Sequence, residues 1–257
     1  MFFRDCALLC LAAALAQGCC VKEDRTVCPC ILYLDFSCTA VPSGAVTWHV
    51  ASQSSEVISG MLEGGDLSGR YALEVPRDSV KTMVVSGDNG AYLPLTGLRV
   101  NEGEEFSRLY LSCHDVDTRM EEVCDTVFLH REHAVLYVHF KGALSEGETV
   151  EVTGSVCGCG ADGTPVSGPF RVGLAPDGHG LASVCLPRQI DGSLALAMYD
   201  GSGLSRVLKI GEYIIESGYD WSAADLKDIT VEIDLAFSRF SVTTEMWKRT
   251  LTFTIVV

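Results

Sequence analysis

Past residue 30 the chain alternates between apolar and polar positions. Ile31, Tyr33 and Asp35 interleave with Leu32, Leu34 and Phe36, and Val46, Trp48 and Val50 face one way in the next segment with Thr47 and His49 opposite. A period of two is the repeat of a β-strand, because successive side chains leave opposite faces of the pleat. The rhythm returns at Tyr71 to Val75, Thr82 to Ser86, Tyr92 to Val100 and Arg108 to Cys113, spaced by Gly64-Gly65, Asp88-Asn89-Gly90 and Asn101-Glu102-Gly103. Short half-buried strands with glycine-bearing turns between them predict a β-sandwich.

An acidic, cysteine-bearing link, Asp115 to Asp125, separates this series from a second one. The second series reads as strands at Ala134 to Phe140, Val150 to Ser155, Phe170 to Leu174, Ala182 to Leu186, Leu194 to Tyr199, Val207 to Ile210, Ile229 to Phe237, Phe240 to Thr244 and Arg249 to Val257. Only Ser222 to Asp228 reads as helical, with Ser222 as N-cap and Asp225 three residues on, the spacing of a capping box. The glycine-rich runs Gly173 to Gly180 and Gly192 to Gly203 read as hairpin turns. The chain is therefore expected to be all-β, with two tandem sandwiches over residues 31–128 and 129–257.

The start of the chain has a different pattern. Arg4 precedes an apolar run, Cys6 to Ala16, that is too short to cross a bilayer, which takes roughly 20 apolar residues, and fits the core of an export signal. The run ends in Ala16-Gln17-Gly18-Cys19-Cys20. A small residue before a cysteine is what lipoprotein signal peptidase requires, so residues 1–18 are expected to be removed and Cys19 to carry lipid, with residues 19–30 as a linker; Ala16 stands where such sites prefer Leu, and the alternative is an ordinary secretory signal cleaved near Gly18. The acyl chains contribute about 0.8 kcal/mol per buried methylene, which makes two or three of them an effectively permanent anchor to the outer membrane.

Composition narrows the partners. The chain has 19 basic and 34 acidic residues, a net charge of -15 and a pI near 4.7, so phosphate backbones are repelled and no nucleic-acid partner is expected. Of the 12 cysteines, Cys6 and Cys10 fall in the export segment and Cys19 at the lipid site. The rest are Cys20, Cys28, Cys30, Cys38, Cys113, Cys124, Cys157, Cys159 and Cys185, an odd set whose pairing is not legible. The pairs Cys28-Pro29-Cys30 and Cys157-Gly158-Cys159 could supply four thiolates to zinc, but zinc sites more often space their cysteines by two to four residues, and structural or free thiols are expected instead.

Two stretches carry a family resemblance. Cys19-Cys20-Val21-Lys22-Glu23-Asp24-Arg25, followed by Cys28-Pro29-Cys30 and the strand Leu32-Tyr33-Leu34-Asp35-Phe36, resembles the opening of the fimbrillin-associated anchor lipoproteins of Bacteroidales type V fimbriae. Gly211-Glu212-Tyr213-Ile214, Gly218-Tyr219-Asp220-Trp221, Asp225-Leu226-Lys227-Asp228 and Val231-Glu232-Ile233-Asp234, with a closing strand introduced by Trp247, resemble the C-terminal part. The resemblance implies two transthyretin-like β-sandwiches and a surface-exposed lipoprotein that fixes or assembles a fimbria. It also implies that Lys22, Glu23 and Asp24 act as a surface-export signal, and that a fimbrial stalk subunit is the partner, joined by β-strand complementation. The last segment, with Leu251, Phe253, Ile255 and Val257 on one face and Thr250, Thr252 and Thr254 on the other, is either a strand for donation or an ordinary strand of its own sheet.

No catalytic site is expected, nor a cofactor or metal. G-x-S-x-G and P-loop motifs do not occur, and His130, Glu132, His133 and His139 precede or enter a strand where zinc-protease chemistry needs a helix. A carboxylate pair for glycoside hydrolysis cannot be chosen among 34 acidic residues. The non-catalytic rivals are a cell-surface glycan-binding lipoprotein and an adhesin at a fimbrial tip. The first needs an exposed aromatic platform; Trp48 reads as core, Trp247 leads a strand, and Trp221 is the tryptophan that could face a ligand, with packing the commoner role for such a residue.

Overall fold

The protein is described by a computed structural model covering residues 28–41, 44–52, 57–88, 96–142, 144, 147–234, 239–244 and 249–254. The export segment, Cys19, the Lys22-Glu23-Asp24 tripeptide and Trp247 lie outside these residues.

The first part of the chain forms β1 (Cys30–Asp35), β2 (Ala45–Ser52), β3 (Val57–Glu63), β4 (Arg70–Val75), β5 (Ser79–Gly87), β6 (Leu98–Arg99), β7 (Leu109–Asp117), β8 (Glu122–Thr126) and β9 (His130–Arg131). A three-stranded sheet runs β4-β1-β8, and a five-stranded sheet runs β3-β2-β5-β7-β9. β1 pairs antiparallel with β4 and parallel with β8. The alternation fixes which face is inside: Leu32 and Leu34 of β1, with Phe36 just beyond it, are buried against Val46, Trp48 and Val50 of β2 and Val80 and Val84 of β5. Burying each such side chain stabilises the fold by about 1.5–3 kcal/mol. Gly60 sits opposite Trp48, where a Cβ would lie 2.7 Å from the indole Cζ2, so the ring needs glycine at that place in β3.

The second part forms β10 (His133–Lys141), β11 (Thr149–Cys159), β12 (Pro165–Leu174), β13 (Leu181–Pro187), β14 (Ala195–Asp200), β15 (Gly203–Leu208), the helix α1 (Ile210–Glu216), β16 (Ile229–Asp234), β17 (Arg239–Thr244) and β18 (Arg249–Thr254). Two further sheets result, β13-β10-β16-β17-β18 and β12-β11-β14-β15. Leu136, Val138, Phe140, Val152, Leu196, Val231 and Ile233 belong to the core these strands share.

Two local expectations fail. Residues 222–228 form turns, and the helix lies instead at Ile210–Glu216, where Ile210 and Ile214, four apart, are both buried. Asp220 accepts bonds from the Ser222 amide and hydroxyl, while Arg188 takes the carbonyls of Trp221, Ala223 and Ala224, so those backbone acceptors are already engaged. The run Gly173 to Gly180 does not close a hairpin: β12 and β13 belong to different sheets, and the run carries the chain between them. Gly192 to Gly203 holds a strand as well as a turn, with Gly201 and Ser202 linking β14 to β15.

A third apolar cluster joins the two parts. Met83, Val85, Leu109 and Leu111 meet Phe106, Cys159 and Cys185. The segment around β6 belts this junction: β6 pairs with β11, the Val100 amide donates to Cys157 O, the Gly103 amide to Arg171 O, and the Phe106 amide to Cys185 O.

Candidate functional site: uncovered sheet edges

A strand at the edge of a sheet presents unpaired backbone groups, and proteins blunt such edges with charge, proline or a covering segment. Most edges here are blunted. β4 exposes Arg70 and Glu74, and β8 exposes Glu122. β12 contains Pro165 and Pro169 and is contacted by Gly103. β13 is covered by Glu105 and Phe106, since the Cys185 amide donates to the Glu105 carboxylate at 3.1 Å. The short β9 is covered by the connector, where Leu226 donates to Arg131 O.

The remaining edge strands among the described residues are β3, β15 and β18. β18 pairs with β17 in register Arg239 to Thr254 through Thr244 to Arg249, while Ile255 and Val257 of the closing segment lie outside the described residues. β15 has apolar surface beside it. Leu204 and Val207 are 58% and 47% exposed, Ile215 of α1 is 44% exposed, and a groove of about 760 Å³ lined by Asp191, Ala195, Val207, Lys209, Glu212 and Ile215 runs alongside. The turn into α1 makes that groove. Gly211 lies so close to Gly192 that a Cβ would stand 2.6 Å from the Gly192 carbonyl oxygen, which draws the helix against β14. An extended segment laid on β15 would gain main-chain hydrogen bonds from the strand and a side-chain pocket from the groove, the two ingredients of strand-addition recognition.

The other residues singled out from the sequence are dispersed. His130 Nδ1 lies 3.6 Å from Asp225, and His139 Nδ1 lies 3.8 Å from Glu232. His133 is buried between Arg131 and Leu109: Arg131 Nε–H donates to its Nε2, which leaves the proton on Nδ1 to be donated to Leu109 O at 3.1 Å. Burial holds this imidazole down to about 4, so it is neutral. Among the described residues no group of three histidine, cysteine or acidic side chains is arranged to hold a metal. Cys28 is exposed and Cys30 lies in the first core, whereas Cys159 lies in the junction cluster, so the two C-x-C pairs do not form one site. All the described cysteines are free thiols. Trp221 is buried and meets Tyr219 edge-on at 4.7 Å between ring centroids, facing the core and no ligand surface.

Sequence reasoning missed the buried ion pair Glu132–Arg188, whose side chains are only 10% and 13% exposed. Burial pushes the Glu132 carboxyl up, and the bond from Arg188 Nε at 2.9 Å opposes that shift. The pair ties the start of β10 to the connector at residues 221–224.

No protein-family model matches the chain, and no curated protein matches its sequence. Solved structures do. A Bacteroides thetaiotaomicron protein provisionally described as polysaccharide binding superposes with a TM-score of 0.62 at 12% identity, over 88% of this chain and 98% of that one. The fimbrial anchor protein Mfa2 from Porphyromonas gingivalis superposes at 0.58 and 9% identity, over 86% and 98%. A Bacteroides ovatus protein provisionally described as an adhesin gives 0.56 and 14%, over 90% and 97%. The chain shares their fold. At these identities the likeness concerns architecture, and it extends over nearly the full length of each neighbour.

Proposed function

We propose that the protein is a non-catalytic, surface-exposed lipoprotein that anchors or assembles a fimbria. It is built as two tandem transthyretin-like sandwiches over residues 31–128 and 129–257, held to the outer membrane through lipid on Cys19 and directed outward by Lys22, Glu23 and Asp24. The observation that carries the reading is the β15 edge with its apolar groove, uncovered among the described residues, where most other edges are blunted. A fimbrial stalk subunit would add a strand there. The likeness in fold to a fimbrial anchor and to a protein described as an adhesin supports it.

The experiment compares cells lacking the protein with cells carrying Cys19→Ala or Val207→Lys. Deletion and Cys19→Ala should both release fimbrial material into the medium. Val207→Lys, which places a charge on the edge, should leave the lipoprotein in the membrane and weaken subunit retention. A glycan array run on the same protein separates the rival reading: normal fimbriae on deletion cells, with clear saccharide binding, would overturn the anchor.

A further inference from the structure

The β3 edge has no part in the proposal for β15, and its own features point to a different occupant. β3 contains no proline and carries one charge, Glu63, at its very end. Its outward positions include Val57 at 43% and Met61 at 61% exposure, while Leu62 is buried and Ile58 packs against the first core. We propose that β3 is a self-pairing edge, through which two copies of this chain join antiparallel about a two-fold axis at Gly60.

The register follows from symmetry. A two-fold axis perpendicular to a sheet keeps each face on its own side, so it must pass through a residue of the strand and pair positions of like parity. With the axis at Gly60, the whole strand is used: Ser59 lies opposite Met61 of the second copy, Ile58 opposite Leu62, and Val57 opposite Glu63. Apolar inner positions meet apolar inner positions, and the two five-stranded sheets become one continuous sheet over two cores. Each Glu63 faces a valine, and the two Glu63 side chains end up at opposite ends of the pair, about 20 Å apart for six residues of strand rise. No like charges oppose each other in a molecule of net charge -15.

The axis position is itself unusual. Gly60 has no side chain because the Trp48 indole of the neighbouring strand lies over it, with Nε1 3.1 Å from where a Cβ would be. That indole N–H is buried without an acceptor among the described residues, and buried donors are normally satisfied. Gly60 against Gly60 therefore brings two backbones together where nothing projects between them, beside a donor that the described residues leave unused.

The opposing term is repulsion between two strongly acidic bodies, which salt screens over a Debye length of about 8 Å at physiological ionic strength. Pairing should therefore strengthen as salt rises from about 50 to 300 mM, opposite to an interface made of salt bridges. The test places the photocrosslinking residue benzoylphenylalanine at Met61 in the full chain in its native membrane. Irradiation should give a product of twice the chain's mass whose joined peptides both come from residues 57–63, and two differently tagged copies should copurify. Val57→Glu, which sets a carboxylate opposite Glu63 of the second copy, should cut pairing about tenfold, read by copurification of the tagged copies, and Val207→Lys should leave it unchanged. Absence of the doubled product, its persistence in Val57→Glu, or crosslinking of position 61 to a different protein would overturn the proposal. Loss of pairing with fimbriae retained leaves the anchor reading standing, so the two fail separately.

Discussion

Replacing Arg188 by Met removes one partner of a buried ion pair and leaves the other in place. Arg188 Nε donates to Glu132 at 2.9 Å, and its Nη1 donates to Trp221 O at 2.5 Å and Ala223 O at 2.7 Å. With both side chains nearly inaccessible, the stranded carboxylate has no water to turn to. Breaking such a pair costs about 3–5 kcal/mol, a large share of the roughly 5–15 kcal/mol by which domains are stable. For an m-value of about 2 kcal/mol/M in urea, the midpoint should fall by about 2 M, followed by tryptophan fluorescence. Removing both partners, with Arg188→Met and Glu132→Met together, should cost less than Arg188→Met alone, because no buried charge remains. The loss should also shrink at acid pH. Burial already favours the protonated Glu132 carboxyl, and without the guanidinium that preference grows. A midpoint shift below about 0.5 M, or a double variant as unstable as the sum of its singles, would refute the assigned role.

Protonation of His133 should make the fold acid-sensitive. Its folded pKa, about 4, lies below the unfolded value near 6.5, so its contribution is full above pH 6.5 and is lost as pH falls toward 4, by about 3 kcal/mol in all; Glu132, shifted upward, offsets part of this. Urea midpoints at pH 7 and 4.5 should differ less in His133→Leu than in wild type, and equal differences would contradict the buried neutral imidazole. Alkylation of the reduced native protein at pH 8 should modify exposed Cys28 and Cys38 and spare Cys159 and Cys185, whose thiols burial pushes up to about 12. Mass spectrometry showing Cys159 labelled as fast as Cys38 would place the junction cluster in solvent.

Strands were the legible part of this fold because alternation is a local signal. Leu32, Leu34 and Phe36 are buried as their spacing requires, and Trp48 lies in the core with Val46 and Val50. The helix was misplaced because α1 spans fewer than two turns, too few for a 3.6-residue period to show, and because the Ser222–Asp225 spacing of a cap was outcompeted by Arg188. Which edges stay open was not legible at all. That depends on distant segments, such as Glu105 and Phe106 closing β13, and no window of sequence contains both strand and cover. Glu132 and Arg188 escaped for the same reason, being 56 residues apart.

The placement of β1 has a mechanical consequence. The strand is the middle of its sheet, and its first residue, Cys30, follows the segment by which the chain is proposed to be tethered. Tension entering at Cys30 acts along the strand axis, across the hydrogen bonds to β4 on one side and β8 on the other. Bonds crossed by a load in that direction are strained together, in shear, and do not open one after another like a zip. An outer strand peeled from its end would yield at far lower force. A tether built this way would transmit a pull on the far end of the molecule to the membrane without first unravelling.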